Sequence, residues 1–456
     1  MDNLNLYILS FNCARNLIES DRFASHFFDA LPNSSNSARD ATRGRRPYEV
    51  PDIIVLSLQE IAPIACAFLG GAFLTPYFDA FDRAIHLAVS KRWAHNVSYV
   101  QMLRENCGMI GIMVYVRSDV TWRISHIETA QVGVGVQQMG NKGAVGARLH
   151  YMVEEDQGNN ETLDLTFVAA HLAAVEYACE RRNEDWRGIV ERLVFARKGA
   201  VDREGGEETV ALLRDPASGF SGSHYSGIFV PTSYLFLAGD LNYRTSDTLP
   251  LKDDYHRFPQ PTTDTNSSRH YSQLFKQDQL TREIQNNRTL HGLLEAPVTF
   301  PPTYKYSAEA RLAAQQDGEP KEWKWEKSRW PSWCDRILYL DVPPWMEGIG
   351  RVEPHVYDAL PLFPTSDHRA VALSVSVPLK PISEPEEVGQ TEDVRLSAPF
   401  TLDADWERKR AAARTKEIIV GCLAYLGLTR EGNGLLLATG IGAIGGWLVL
   451  RSLLGG

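Results

Sequence analysis

A carboxylate and a carboxamide stand two residues apart where an apolar segment of this sequence ends. Residues 234–238 are mainly apolar, Gly239 follows them, and Asp240 and Asn242 come next. Apolar residues bounded by glycine predict a buried strand that ends in a turn. Side chains two residues apart on a strand point the same way, so a base and a hydrogen-bonding amide would emerge side by side. The alternative is a strand followed by an Asx turn, which Asp and Asn often form.

Polar residues at other predicted strand ends complete a set that suits metal-assisted hydrolysis of a phosphoester. Seven residues occupy such positions: Asn12, Glu60, His171, Asp240, Asn242, Asp335 and His368. Glu60 and Asn12 offer the oxygen ligands that a hard cation such as Mg²⁺ prefers. Asp240 can accept a proton from water, and Asn242 can hold that water or a phosphate oxygen in place.

Histidines at two of these positions could stabilise the charge that builds up on a phosphoryl group. His171 and His368 can donate hydrogen bonds to its oxygens, and Asp335 or Asp367 could orient His368. A single histidine at a strand end is more often a structural residue, and a single glutamate there is usually solvated. The number of such positions in one region is what favours a catalytic site.

The composition is that of a globular protein with a large core and an excess of acidic groups. The chain has 456 residues, of which 44% are hydrophobic and 23% charged, and its net charge is −10. Non-specific nucleic-acid binders gain affinity by neutralising phosphates with Lys and Arg, so no nucleic-acid partner is expected. The six cysteines form no CxxC pair and no zinc-type spacing, which indicates reduced thiols in a cytosol-facing protein.

The order of predicted elements over residues 1–379 favours one α/β domain. Strands follow one another closely more often than they alternate with helices, which predicts mixed or antiparallel sheets packed face to face. The glycine-rich segment at 131–149 superficially resembles a dinucleotide-binding loop, but its third glycine is out of register, so that interpretation is rejected. The loop at 33–47 carries four arginines and is interpreted as a solvated insertion.

The C-terminal part is predicted to lead into a membrane. Residues 380–402 are rich in Pro and acidic groups, which is typical of a linker, and residues 403–430 are predicted to form a juxtamembrane helix. The segment 433–454 holds one charge, Arg451, and approaches the ~20 residues that a span needs. The alternative is a buried core helix. Because a span at the C-terminus inserts after translation, we expect the preceding domain to face the cytosol.

Several segments together resemble the inositol polyphosphate 5-phosphatases. The two that resemble the family's signature motifs are FLAGDLNYR at residues 236–244 and PSWCDRIL at residues 331–338. Further segments resemble other family blocks: SFN (10–12), LQE (58–60), MGNKGAV (139–145), AAHLAA (169–174), PTYKY (302–306) and SDHRAV (366–371). The resemblance covers about residues 4–377. The arrangement of one catalytic domain and a tail span is similar to that of the small fungal endoplasmic-reticulum member of the family.

This resemblance implies a fold and a metal site. The fold would be of the α/β class, a deoxyribonuclease-I-like four-layer α/β/β/α sandwich of two mixed β-sheets, followed here by a C-terminal transmembrane helix. Asn12 and Glu60 would hold Mg²⁺, and Asp367 would lie beside the metal and the phosphate.

The resemblance also implies catalytic and substrate-binding roles. Asp240 would activate water with the help of Asn242, His368 would be the catalytic histidine oriented by Asp335, and His171 would contact the scissile phosphate. The residues assigned to substrate binding lie in or next to the family blocks: Tyr304, Lys305, Lys327, Arg329, Asn141, Lys142 and Arg336. Phosphate recognition favours Arg forks and Lys point charges.

The predicted function is Mg²⁺-dependent removal of the 5-phosphate from phosphatidylinositol 4,5-bisphosphate, or another 5-phosphorylated phosphoinositide, at a cytosolic membrane face. The first alternative is another hydrolase of the same superfamily, an abasic-site endonuclease or a sphingomyelinase. The second is an inactive phosphoinositide-binding membrane protein. The expected location is the endoplasmic reticulum membrane, and the mitochondrial outer membrane is the alternative.

Overall fold

The computed structural model describes residues 3–32, 50–94, 96–154, 160–197, 226–316, 320–346, 348–385 and 393–454. The arginine-containing loop predicted at 33–47 lies outside these ranges. The strands are β1 (Asn3–Asn12), β2 (Ile53–Gln59), β3 (Tyr99–Cys107), β4 (Ile110–Arg117), β5 (Ile124–Gly133), β6 (Gly143–Glu154), β7 (Asn160–His171), β8 (Ala196–Arg197), β9 (Ser233–Asp240), β10 (Leu294–Glu295), β11 (Asp335–Tyr339), β12 (Glu353–Ala359) and β13 (Val371–Pro378). The α-helices are α1 (Ser20–His26), α2 (Ile64–Leu69), α3 (Thr75–Trp93), α4 (Cys179–Arg192), α5 (Tyr271–Phe275), α6 (Gln279–Gln285), α7 (Ala308–Ala313), α8 (Trp406–Leu428) and α9 (Arg430–Leu454).

Within the described residues the strands form two mixed sheets. The first has six strands in the order β12-β13-β1-β2-β4-β3, and the second has seven in the order β10-β11-β9-β7-β6-β5-β8. The β1–β2 and β7–β9 pairs are parallel, and the other pairs are antiparallel. Strands that follow one another closely in the sequence pair mainly as antiparallel neighbours, which short connections can join. The absence of regular βαβ alternation predicted such mixed sheets.

Alternation of side chains along the strands divides the core into layers. Ile8 of β1 and Phe167 of β7 belong to the apolar cluster that lies between the sheets. Their sequence neighbours point the other way, so Leu9 packs beneath helices α1 and α3, while Val168 packs beneath helix α4. Burying each such side chain stabilises the fold by about 1.5–3 kcal/mol. The predicted four-layer α/β/β/α sandwich is confirmed.

The segment after the sandwich packs against it over much of its length. The guanidinium of Arg395 donates to the carbonyls of Ser233 and Asp341, and the N–H of Asp403 donates to the carbonyl of Glu191 at 2.8 Å. The described residues 393–402 of the predicted linker therefore contact the domain. The predicted boundary at residue 379 stays a prediction.

Helix α9 differs from every other described helix in its surface. It has 25 residues, its most apolar 18-residue stretch has a mean hydropathy of 1.6, and none of that stretch is buried. Among the described residues it is the one helix that is long and apolar enough to cross a membrane. It begins three residues before the predicted span and ends at the same residue.

Candidate active site

Strand register aligns three of the predicted catalytic residues across the second sheet. His171 at the end of β7 is the register partner of Asp240 at the end of β9, and Asp240 is the partner of Asp335 at the start of β11. All three lie on the face that looks toward the first sheet, because Phe167, Phe236 and Ile337 share their alternation. His171 Nε2 lies 3.3 Å from Asp240 Oδ2.

The first sheet supplies the opposite wall of the site. Asn12 ends β1, and its Nδ2 donates to Asp240 Oδ2 across the gap between the sheets at 2.8 Å. Glu60 follows β2, the parallel neighbour of β1. The backbone φ of Glu60 is +46° and that of Asn242 is +58°. Asn tolerates this left-handed region, whereas Glu rarely adopts it, so the turn at Glu60 stores backbone strain of about 1 kcal/mol or more.

The turn before β13 delivers the second histidine. Ser366 donates its hydroxyl to the carbonyl of Asn12 at 2.6 Å and accepts the backbone N–H of His368 at 3.0 Å. His368 Nδ1 lies 2.9 Å from Asp335 Oδ2, which also accepts the hydroxyl of Thr303 at 2.7 Å. This arrangement leaves His368 Nε2 directed toward Asp240, 3.9 Å from its Oδ2. Asp335, rather than Asp367, is thus the carboxylate that orients His368.

These residues line a cavity of about 370 Å³. Ten of the predicted site residues are at its wall: Asn12, Glu60, Lys142, His171, Asp240, Asn242, Tyr304, Lys305, Asp367 and His368. Asp335 lies beneath this wall, fully buried behind His368. Residues separated by more than 350 positions in the sequence therefore meet in one cleft. This agrees with the prediction that polar residues at several strand ends form one site.

Burial and neighbouring charges shift the pKa values of Asp240, His171 and His368 in different directions. Burial alone would raise the pKa of Asp240, but the hydrogen bond with His171 and the charges of His368 and Lys142 lower it below its usual value. Burial and the charge of Lys142 lower the pKa of His171. Burial works to lower the pKa of His368, but Asp335, Asp240 and Asp367 outweigh it and raise the pKa to about 9. Near neutral pH the cluster therefore holds an ionised Asp240, a neutral His171 and a protonated His368.

The oxygen donors that line the cavity fit a hard divalent cation. Glu60, Asp240 and Asp367 bring carboxylates to the same cavity as the carboxamide of Asn12. Asn12 Oδ1 accepts the N–H of Ala14 at 3.0 Å, and a carboxamide oxygen keeps a second lone pair for a ligand. Such ions bind carboxylate and amide oxygens in preference to nitrogen or sulfur. Asn12 and Glu60 would hold the ion, with Asp367 beside it.

Asn242 acts on Asp240 through its backbone. Its N–H donates to Asp240 Oδ1 at 3.1 Å, while its side-chain amide donates to the carbonyl of Leu172 at 3.1 Å. Its Oδ1 accepts a hydrogen bond from Arg244. Both the amide nitrogen and the oxygen of the Asn242 side chain are therefore bound to other parts of the protein. The backbone N–H of Asn242 is the group that orients the Asp240 carboxylate.

The predicted substrate-binding residues divide into two groups. Lys142, Tyr304 and Lys305 line the cavity, and Lys305 Nζ lies 3.0 Å from Asp367 Oδ2. Four residues are not at its wall: Asn141, Lys327, Arg329 and Arg336. The side chain of Asn141 packs over Gly135, that of Lys327 lies over the ring of Tyr255 in a neighbouring cavity, and Arg329 donates to the carbonyl of Ser328.

The prediction that Arg336 binds substrate is wrong. Its guanidinium is buried and forms ion pairs with Asp278 at 3.0 Å and with Glu295. Adjacent residues on a strand point to opposite faces. Because Asp335 faces the gap between the sheets, Arg336 faces the outer side and cannot reach the cavity.

Arg244 is a site residue that the sequence analysis missed. Its side chain is buried at the cavity wall, its Nε donates to the carbonyl of Asn242 at 2.9 Å, and its guanidinium lies 4.4 Å from the centre of the Tyr304 ring. The ring of Tyr304 in turn lies 4.6 Å from that of His368. The signal available in the sequence was the position of Arg244 at the end of the first signature motif.

Comparison with known proteins agrees with this geometry. The family model described as endonuclease/exonuclease/phosphatase family 2 matches residues 9–374. Type II inositol polyphosphate 5-phosphatase 15 of Arabidopsis thaliana is 29% identical over 308 residues, which cover 65% of this chain and 26% of that protein. Polyphosphatidylinositol phosphatase INP53 of Saccharomyces cerevisiae is 27% identical over 323 residues, covering 70% and 23% respectively. The chain thus spans about a quarter of the length of these relatives.

A solved structure has the same fold. The inositol polyphosphate 5-phosphatase domain of SPsynaptojanin, in complex with inositol (1,4)-bisphosphate and a calcium ion, matches with a TM-score of 0.55 and 21% identity over 92% of this chain and 90% of that one. The cluster at the strand ends, the fold and the match over residues 9–374 lead to one assignment. The chain belongs to the endonuclease/exonuclease/phosphatase family, and its relatives there are inositol polyphosphate 5-phosphatases, as its signature motifs predicted.

Proposed function

We propose that this protein is a Mg²⁺-dependent phosphoinositide 5-phosphatase that converts phosphatidylinositol 4,5-bisphosphate to phosphatidylinositol 4-phosphate. The observation that carries the proposal is the meeting of Asp240, His171 and the His368–Asp335 pair with Lys142 and Lys305 in one cavity. A base, hydrogen-bond donors and phosphate-binding cations are the groups that phosphoester hydrolysis needs. The names of the relatives support this substrate class.

The protein groups have distinct tasks in the proposed reaction. The ionised carboxylate of Asp240 accepts the proton of the attacking water and is held by Asn12 and by the N–H of Asn242. Protonated His368 donates to an oxygen of the scissile phosphate, where negative charge increases during attack. When bound, Mg²⁺ neutralises part of the charge on that phosphate.

The two lysines favour a substrate with more than one phosphate. Lys142 lies deep in the cavity against His171, whereas Lys305 is about one-third exposed at the rim and pairs with Asp367. We infer that Lys142 contacts the scissile phosphate and that Lys305, with Tyr304, contacts the neighbouring 4-phosphate. A lysine ammonium recognises phosphate as a point charge.

Helix α9 is the proposed membrane anchor. Its 25 residues span roughly 37 Å at 1.5 Å per residue, which exceeds the ~30 Å hydrocarbon thickness of a bilayer. An anchored enzyme meets lipid head groups at high effective concentration. The proposed location is the endoplasmic reticulum membrane with the catalytic domain in the cytosol, and imaging of a tagged chain distinguishes it from the mitochondrial outer membrane.

The test is phosphate release by the purified full chain. Substrates are phosphatidylinositol 4,5-bisphosphate, other phosphoinositides, soluble inositol phosphates, sphingomyelin and an abasic duplex, each with Mg²⁺ and with EDTA. We expect release from 5-phosphorylated lipids that stops on chelation and returns with Mg²⁺. Tight lipid binding without turnover would indicate an inactive binding protein, and cleavage of sphingomyelin or of the abasic duplex would assign another activity of the superfamily.

A further inference from the structure

Helix α8 carries a carboxylate that is completely buried against the catalytic domain. Glu417 has an exposed fraction of 0% and pairs with Arg410 Nη1 at 2.8 Å and Arg414 Nη1 at 3.2 Å. Burying a charge is costly unless it is paired and hydrogen-bonded. The uncharged residues Ala413 and Gly421 lie on the same face of the helix and are also buried. Docking alone therefore does not account for Glu417.

The two arginines fix the helix to separate parts of the domain. Arg414 also donates to the carbonyls of Phe68 and Leu69 at the end of α2. Arg410 also donates to Gln131 Oε1 on β5 at 3.1 Å. Glu417 is the acceptor that these guanidiniums share, so its position is determined from both sides.

The third partner of Glu417 leads to the active site. Its Oε1 accepts the backbone N–H of Gly140 at 2.9 Å, and Gly140 lies two residues before Lys142. The carbonyl of Gly140 accepts the N–H of Met109 at 2.8 Å, and the carbonyl of Met109 accepts the N–H of Ile61, the residue after Glu60, at 3.2 Å. Both backbone polar groups of Gly140 are thus held, one by Glu417 of α8 and the other by Met109, whose carbonyl binds the residue after Glu60.

The loop that Glu417 holds delivers a lysine to the cavity. Lys142 contacts His171 Nε2 and lines the cavity with Glu60 and Asp240. Its carbonyl accepts the N–H groups of Val134 at 2.9 Å and Gly135 at 3.2 Å, so the loop is closed on its far side as well. Displacing a catalytic group by 1 Å can cost about a hundredfold in rate.

We propose that Glu417 is a positioning residue for the active site, which acts through Gly140 to hold Lys142 against His171. Helix α8 is then part of the catalytic unit, and the helix that precedes the proposed membrane anchor sets the geometry of the cavity. The inference rests on the proposed 5-phosphatase activity and assigns a role in it to a residue outside the sandwich.

The test compares variants of the full chain by phosphate release, thermal unfolding and hydrogen exchange of the segment 139–142. We expect Glu417→Ala to lower kcat by about tenfold or more and to speed exchange at Gly140. Glu417→Gln keeps an oxygen that can accept the Gly140 N–H, so it should restore kcat to within about threefold of the wild type. Glu407→Gln, an exposed position on the same helix, is the matched control and should change neither quantity.

A double-mutant cycle separates positioning from a general loss of stability. If Glu417 acts through Lys142, then Glu417→Ala should reduce kcat little further in a Lys142→Met background. Equal losses in both backgrounds, or unchanged exchange at Gly140 in Glu417→Ala, would overturn the inference while leaving the proposed function intact. An inactive wild type that still shows faster Gly140 exchange in Glu417→Ala would reject the proposed function and keep only the structural link.

Discussion

Two rows of charged side chains cross the second sheet on opposite faces, and the row on the inner face contributes to the wall of the cavity described above. In the first row His171, Asp240 and Asp335 are register partners on β7, β9 and β11. In the second row His126, His150 and Asp164 are register partners on β5, β6 and β7. Each row contributes to a group of histidine and carboxylate atoms that lie within 4.8 Å of one another.

The two rows resemble each other in chemistry. His150 Nδ1 lies 2.7 Å from Asp164 Oδ1 and its Nε2 lies 3.8 Å from Glu128 Oε1, much as His368 lies between Asp335 and Asp240. Burial works to lower the pKa of His150, but Asp164 and Glu128 raise it to about 9, the same value as for His368. Neither residue types nor protonation therefore distinguish a catalytic row from a structural one.

What distinguishes them is the face of the sheet on which they lie. Asp164 and His171 are seven residues apart on β7, roughly 23 Å at 3.3 Å per residue, and an odd separation places them on opposite faces. On the outer face, Arg148 and His150 neutralise Glu128 and Asp164 within the cluster. On the inner face, Glu60 pairs with Arg15 and Asp367 with Lys305 at the wall of an open cavity. Basic groups therefore balance the carboxylates of both rows, and the groups of the inner row face a cavity that a ligand can enter.

The largest expected effect is on kcat, and it comes from replacing one carboxylate in each row. Asp240→Asn removes the proposed base, so kcat for phosphate release should fall by about a thousandfold or more, with the melting temperature nearly unchanged. Asp164→Asn, in the other row, should leave kcat within about twofold and lower the melting temperature. A large loss of stability in Asp240→Asn with modest loss of kcat would make the first row structural too.

The second prediction tests the protonated histidine of the inner row. His368→Gln keeps a hydrogen-bond donor but loses the positive charge, so we expect kcat to fall about a hundredfold with a smaller change in KM. His150→Gln is the matched control in the outer row and should preserve kcat. Comparable activity in the two variants would remove the functional distinction between the rows.

The third prediction concerns the cations around the cavity. Lys305 is at the cavity wall and Lys327 is not, so Lys305→Ala should raise KM for phosphatidylinositol 4,5-bisphosphate about tenfold, and Lys327→Ala less than about threefold. Steady-state kinetics on mixed lipid vesicles measure both. A larger increase in KM for Lys327→Ala than for Lys305→Ala would instead support the sequence prediction that Lys327 binds substrate.

The smallest expected effect is on stability and belongs to the outer row. The pKa of His150 is about 9 in the folded chain and about 6.5 when unfolded. Its stabilising charge is fully present below pH 6.5 and is lost as pH rises through 9. Between these values the free energy of unfolding should decrease by on the order of 3 kcal/mol. Denaturant unfolding of His150→Gln should show a shallower dependence over this window, and equal slopes would contradict the assignment.

Much of the active site was predictable because local patterns carried it. An apolar run that ends in Gly239 and Asp240 predicts a strand and its exit, and the motifs place Asp335 and His368 in the same region of the fold. The prediction failed for Arg336 because a motif does not state which face each residue occupies. The alternation on β11 decides this, and it directs Arg336 away from the cavity that Asp335 supports.

Local pattern and residue identity were enough to predict the family, the sandwich of two mixed sheets, the catalytic residue types and an apolar C-terminal helix. Tertiary structure alone decided that Asn12 meets Asp240 across the sheets and that the row at Asp164 lies on the opposite face of the second sheet. It also decided that Glu417 on α8 holds the loop of Lys142. Contacts of this kind depend on register and on docking between segments hundreds of residues apart, for which no local pattern provides a signal.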